Sequence, residues 1–122
     1  MEFFIRKGST DPILKMRLID DGINDKSSFN DLLENSDITF EMWDPKTDQF
    51  YILNGLCSLT NRIKKFNHST DEYYIVFRFN EEQTSTIGRF EGIFNINFLD
   101  INGNVVNKLR MPIQEKLFIN II

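Results

Sequence analysis

The stretch GRFEGIFNINFLDINGNVV, Gly88 to Val106, puts Phe90, Phe94, Ile96 and Phe98 on alternate positions and then meets Asn102-Gly103. Successive side chains of an extended chain point to opposite faces, so Phe94, Ile96 and Phe98 would line one buried face of a strand while their neighbours look away. Burial of each is worth about 1.5–3 kcal/mol. Asn-Gly between alternating runs is the strongest local hairpin signal, because both residues of the tight turn must accept positive φ. Gly92–Leu99 and Val105–Met111 are therefore expected as antiparallel neighbours.

The same period of two recurs along the chain. Leu14, Met16 and Leu18 alternate with Lys15 and Arg17. Ile38, Phe40 and Met42 alternate with Thr39 and Glu41, and Tyr73, Ile75, Phe77 and Phe79 alternate with Tyr74, Val76 and Arg78. Asp20-Asp21-Gly22, Asp44-Pro45-Lys46-Thr47-Asp48, Asn54-Gly55 and Asn67-His68-Ser69-Thr70 are built of residues that tolerate turn geometry and are expected between strands. Arg62-Ile63-Lys64-Lys65 is read as a solvated turn. Ser27–Asn35 is the best helical segment, one turn carrying Leu32 and Leu33, with a 3₁₀ or loop reading equally good. Short strands at this spacing, without long amphipathic helices between them, favour an all-β, two-layer β-sandwich in a single domain, 1–122.

Composition agrees with one self-sufficient core. A 122-residue chain can bury about two-thirds of its surface. With 41% hydrophobic residues and twelve Phe it is too apolar to be read as disordered. A net charge of −4 argues against a protein that works by neutralising phosphates, so no nucleic-acid partner is expected. No apolar run approaches the roughly 20 residues that span a bilayer, and Met1-Glu2-Phe3-Phe4-Ile5-Arg6 lacks the features of a secretory leader. A soluble product made in a cytoplasm, with no membrane partner, is the expectation.

Chemistry is thin. Cys57 is the single cysteine and His68 the single histidine, so an internal disulfide and a thiolate metal cage are excluded, and a nucleophilic cysteine would have one imidazole to call on. Cys57 reads as a small strand residue and His68 as a solvent-facing loop residue. The carboxylates fall mainly in turns, where solvent keeps their titration ordinary. Asp20-Asp21-Gly22-Ile23-Asn24-Asp25 clusters oxygens but lacks the order of a calcium loop with its closing Glu. No phosphate-cradling loop is present, and Gly88 and Gly92 read as corner and strand positions. Neither an enzyme nor a cofactor is expected.

More telling is apolar character on the parity that should face water. Ile93 and Leu99 fall opposite Phe94, Ile96 and Phe98, and Phe118 and Ile122 fall opposite Leu117, Ile119 and Ile121. Outward apolar residues are either ordinary scatter or are covered by a loop or another chain. Phe3 and Phe4 raise the same question at the other terminus. Trp43 and Tyr74, of residue types favoured at binding hot spots, are candidate anchors. Phe3, Phe4, Trp43, Tyr74, Ile93, Leu99, Phe118 and Ile122 are thus the candidate interface residues.

One further pattern runs through nearly the whole chain. An opening strand precedes Lys7-Gly8-Ser9-Thr10-Asp11-Pro12, and an alternating strand ends in Asp20-Asp21-Gly22. Asp31-Leu32 stands ahead of Ile38–Met42 and Asp44-Pro45. Thr86-Ile87-Gly88-Arg89-Phe90 leads into the run to Phe98 and the turn Asp100–Gly103, followed by Pro112 and a closing Leu117–Ile121. In order and spacing this resembles the immunoglobulin-like N-terminal domain of the baseplate upper proteins of tailed bacteriophages and related virion structural domains. The resemblance implies an immunoglobulin-like antiparallel β-sandwich of about 7–9 strands, with Gly88 opening a corner that Phe90 anchors. It implies no catalytic residues. The implied function is that of a virion structural protein, made in the host bacterial cytoplasm and contacting other virion proteins or copies of itself. Family members commonly continue into a trimerising or receptor-facing part, so a chain ending at Ile122 is expected to be a tail or baseplate adaptor or a head-surface decoration subunit. A small-molecule ligand is not expected. The reading from another class is a carbohydrate- or receptor-binding module stacking sugars on Trp43, Tyr51, Tyr73 and Tyr74. An enzyme, which a cleft of convergent carboxylates would support, ranks third.

Overall fold

The structure, a computed structural model, describes residues 1–17, 35–64 and 67–122, with 61–64 and 67–73 described by their backbone alone. Among the described residues there are nine strands and no helix. In chain order these are β1 (Glu2–Ile5), β2 (Leu14–Arg17), β3 (Ser36–Trp43), β4 (Phe50–Leu56), β5 (Ser58–Lys64), β6 (Asn67–Phe77), β7 (Gly88–Leu99), β8 (Val105–Met111) and β9 (Leu117–Ile121). Six form one sheet in the order β1-β9-β7-β3-β4, with β8 also on β7; three form a second, β2-β6-β5. Every pairing is antiparallel except β1 with β9, which run parallel.

β7 organises the larger sheet. Its alternation holds along the strand: Phe90, Phe94, Ile96 and Phe98 are buried and Glu91, Ile93, Asn95, Asn97 and Leu99 half-buried on the other side. One edge of β7 pairs with all of β3, from Glu91 opposite Trp43 to Phe98 opposite Ser36. The other edge is shared. Gly88–Gly92 pair with β9 and Phe94–Leu99 with β8, as the hairpin reading requires. The turn joining β7 to β8 is longer than a two-residue one. Asp100 N–H donates to the Asn104 carbonyl (2.9 Å) and Gly103 N–H to the Asp100 carbonyl (3.0 Å), with the Asp100 carboxylate accepting from the N–H groups of Asn102 and Asn104. Gly103 alone takes positive φ, at 81°. This is the three-residue loop in which a type I turn is closed by a left-handed residue.

The two sheets meet through phenylalanines. The Phe40 ring of β3, fully buried, lies 4.7 Å from Phe77 of β6 and 4.9 Å from Phe94 of β7. Phe79, just past β6, closes the cluster at 5.0 Å from Phe77. Two glycines make room for it. A Cβ on Gly92 would stand 2.8 Å from the Phe40 ring, and one on Gly55 2.7 Å from the Phe77 ring. Leu14, Met16 and Ile75 complete the core from the smaller sheet; Ile5, Ile38, Met42, Ile52, Met111, Leu117, Ile119 and Ile121 do so from the larger.

Several expectations need correction. Asn54-Gly55 is not a turn between strands but a bulge inside β4. Two residues, Leu53 and Asn54, oppose Glu41 between the pairs Phe40–Gly55 and Met42–Ile52, and Asn54 takes φ of 54°. Asn67–Thr70 belongs to β6 and Arg62–Lys64 to β5, so neither is the turn expected of it. Cys57 is not a strand residue but the step at which the chain leaves the six-stranded sheet for the three-stranded one. Leu18, Asp20–Asp25, Asp31-Leu32 and the helical segment Ser27–Asn35, save Asn35 itself, lie outside the described residues, as do the side chains of His68 and Tyr73.

Gly92→Ala should destabilise the fold. Pushing the immobile Phe40 ring aside costs about 1–3 kcal/mol, offset by about 0.5–1 kcal/mol from removing a strand glycine. The expected net loss is about 1–2 kcal/mol in a urea titration, with Phe40→Leu in the same chain recovering part of it. A Gly92→Ala protein as stable as the parent would show that the ring is not confined.

Candidate functional site

The register of the larger sheet decides which outward residues meet. Phe118 on β9 stands opposite Glu2 on β1 and Glu91 on β7; Glu91 stands opposite Trp43 on β3, and Trp43 opposite Phe50 on β4. One row across five strands therefore reads Glu2, Phe118, Glu91, Trp43, Phe50. The Trp43 and Phe50 rings are 5.9 Å apart. The Arg89 guanidinium lies 4.0 Å over the Phe118 ring and pairs with Glu2 at 3.0 Å, while the Asn120 amide donates to the same carboxylate at 3.1 Å. Cation–π contacts and ion pairs this exposed contribute about 0.5–1 kcal/mol each. Their consequence is orientation: β1, β9 and β7 are linked on the outside and the Phe118 ring is held flat beneath a cation.

Of the eight candidate residues, Phe4, Trp43, Ile93 and Phe118 share this outer face. Phe4 is the most open of them, 55% exposed at the sheet edge, between inward-facing Phe3 and Ile5. Ile93, half-buried, lines a groove of about 220 Å³ with Pro112, Ile113 and Glu115 of the β8–β9 connection. Leu99 lies on the same face at its far end, opposite Val105, and Ile122 follows the end of β9. The other two are elsewhere. Phe3 packs on the core, stacked on Phe79 at 5.8 Å. Tyr74 lies on the outside of the smaller sheet, on the parity opposite buried Ile75.

The described rings of the sugar-stacking reading, Trp43, Tyr51 and Tyr74, are not gathered together. Tyr51 is turned edge-on against Phe90 at 4.8 Å in a small pocket with Asp44, Lys46 and Arg89, and Tyr74 is on the other sheet. Sequence reasoning missed Phe50, whose only sign would have been its cross-strand pairing with Trp43. It also missed Leu53 and Leu56, both well exposed on the edge strand β4.

Among the described residues no three of His, Cys, Asp and Glu converge to hold a metal ion. The Cys57 thiol is half-buried, 3.6 Å from the Gly55 carbonyl, and burial pushes its pKa up to about 12. A thiol with so little thiolate is a poor nucleophile. These features define a class: an all-β chain in two sheets whose larger sheet carries aromatic and aliphatic side chains outward. No family model, curated protein or solved structure matches the chain.

Cys57 allows a direct check. Its folded pKa lies above the ordinary value of 9.0, so the unfolded chain loses the proton first. The contribution to stability is complete below about 9 and is lost as the pH climbs towards about 12. Alkylating reagents at mildly alkaline pH should leave the folded protein untouched and modify it on denaturation, read by mass spectrometry. Rapid labelling of the native protein would contradict the burial.

Proposed function

We propose that this chain is a non-catalytic structural protein of a bacteriophage virion. It is an immunoglobulin-like sandwich in a tail or baseplate adaptor or a head-surface decoration subunit, acting through contacts with other virion proteins or with copies of itself. Two things support the reading: the resemblance in turn order and strand spacing to the N-terminal domain of baseplate upper proteins, and the outward row on the larger sheet. The row is the observation that carries it. Phe118 stands between Glu2 and Glu91 and the Trp43–Phe50 pair follows Glu91 across the strands, and Phe4 and Ile93 lie one step to either side on the same face. A face fully committed to water would carry polar residues at these positions. Aromatic anchors with charged neighbours make a surface that buries apolar area and fixes register by charge.

The working part is then geometry. A rigid sheet holds its outward side chains at strand spacing, so a neighbour meets the same pattern on every copy. In a closed symmetric assembly one such surface, repeated, suffices to set the arrangement.

The test uses substitutions that leave the core alone. Removing residues 118–122 would take out Ile119 and Ile121, both buried, and would report on folding instead. Phe4→Asp and Ile93→Asp change outward side chains only. Both proteins should unfold at denaturant concentrations close to the parent's, and both should be lost or strongly depleted from assembled particles, measured by quantitative mass spectrometry. Cross-linking of intact particles should place residues of this face against a neighbour. Normal incorporation of both variants, with cross-links only from the smaller sheet, would overturn the reading.

A further inference from the structure

Beside the aromatic row, the same outer face changes character. Residues of β3, β4, β7 and β8 enclose a trough of about 260 Å³ lined by Thr39, Glu41, Asn95, Asn97, Lys108 and Arg110, together with Asn54 and Leu109. Its floor is two cross-strand rows: Thr39, Asn95 and Arg110 in one, and Asn97 and Lys108 in the other, with Asp37 at the β3 end of that second row. The trough is pre-arranged. Arg110 Nε donates to Asn95 Oδ1 at 3.1 Å, and its terminal nitrogen reaches Glu41 Oε2 at 3.4 Å. With its oxygen engaged, Asn95 offers its NH₂ group as a donor. Lys108 forms no ion pair with a described carboxylate, since the described ion pairs involve other residues.

The chemistry follows from this inventory. Two cations against the single Glu41 carboxylate leave the lining with one net positive charge, Asp37 standing outside it at the end of the Asn97 row, on a chain whose net charge is −4. Side-chain donors outnumber acceptors: the guanidinium and the ammonium only donate, the Glu41 carboxylate only accepts, and the Thr39 hydroxyl and the Asn54, Asn95 and Asn97 amides do both, the Asn95 oxygen being already engaged. A complementary ligand is rich in acceptors and carries a negative charge. Neighbouring strands are about 4.8 Å apart, close to the separation of hydroxyls on alternate carbons of a pyranose ring, so side chains on adjacent strands can grip one sugar. No aromatic ring lines the trough, which argues against single-stranded nucleic acid, whose bases need stacking platforms. A peptide strand would look for an open sheet edge, and this trough lies across paired strands.

The geometry points to a binding site for a short acidic oligosaccharide, one or two sugar units bearing a carboxylate such as a uronic acid. Lys108 is the counter-charge and Asn95, Asn97 and Thr39 hold the hydroxyls. The site is distinct from the aromatic row and does not depend on the virion reading. With no ring to stack on, affinity rests on hydrogen bonds and one charge, and the dissociation constant is expected in the millimolar range.

Heteronuclear NMR of the whole chain tests this, with a short galacturonate oligomer as probe and the corresponding neutral galactose oligomer as control. The acidic oligomer should shift the side-chain NH₂ signals of Asn95 and Asn97 and the backbone amides around Lys108 and Arg110, leaving Tyr74 on the opposite sheet unmoved. Asn97→Ala should weaken binding about tenfold, the worth of about one hydrogen bond. Lys108→Ala should abolish the preference for the acidic oligomer while the spectrum keeps its native dispersion. The assignment is overturned if millimolar probe moves none of these signals, if the neutral oligomer binds equally well, or if Asn97→Ala leaves the shifts unchanged. Particle incorporation is a separate readout, so failure here and failure of the structural reading can be told apart.

Discussion

The two sheets are held by two rings in contact, each seated against a glycine. Phe40 projects from the middle of the larger sheet and meets Phe77 of the smaller one at 4.7 Å, and it can do so because Gly92 beside it has no side chain. Gly55, opposite Phe40 on β4, leaves the corresponding space for Phe77. Remove either vacancy and the rings must separate, and close-packed interiors tolerate little displacement. The strand glycines are therefore a packing requirement, and their cost to strand stability, about 0.5–1 kcal/mol each, is small beside the aromatic burial they permit.

A second constraint follows from the length of β7. Its twelve residues are more than any one neighbour on its open edge can cover, so β9 takes the first part and β8 the second. The split brings the closing strand into the interior of the sheet, between β1 and β7, where Ile119 and Ile121 are buried and Phe118 faces out. β1 then adds to β9 in parallel, which completes the edge and sets Glu2 and Phe4 beside Phe118 and Asn120. The outer row is thus a by-product of how the core is closed. Its members come from distant parts of the chain, and only the sheet brings them together.

This explains what could be read from the chain and what could not. Strands with unbroken alternation were legible: the parity of Ile38, Phe40 and Met42, of Phe94, Ile96 and Phe98, and of Leu117, Ile119 and Ile121 is borne out by their burial. Asn54-Gly55 misled because a left-handed residue serves a bulge as readily as a turn. Local chemistry states that positive φ is allowed, not where the partner strand runs. Asn67 misled in a related way, since a residue of low strand propensity enters β6 where pairing with Lys64 of β5 outweighs preference. The parallel β1–β9 pair joins the two ends of the chain and leaves no local trace. As for the site, the outward parity of Trp43, Ile93 and Phe118 was visible, but their adjacency is a matter of register. Phe50 escaped because the bulges in β4 break the period of two. The polar trough escaped because Asn95 and Asn97 look like ordinary outward strand residues until β8 sets Arg110 and Lys108 beside them.

The outer face of β7 therefore carries two surfaces of different chemistry on one rigid support. Towards its start, Arg89 and Glu91 lie among Phe118 and Trp43; further on, Asn95 and Asn97 lie among Thr39, Lys108 and Arg110. Because all inward positions from Phe90 to Phe98 are buried in the same core, neither surface can shift without the other. Two ligands bound there at once would be held in a fixed relative position, set by the register of β3 on β7 and free of any hinge. An apolar contact and a polar trough side by side on paired strands are thus coupled by covalent and hydrogen-bonded geometry alone, and no conformational change is needed to align them.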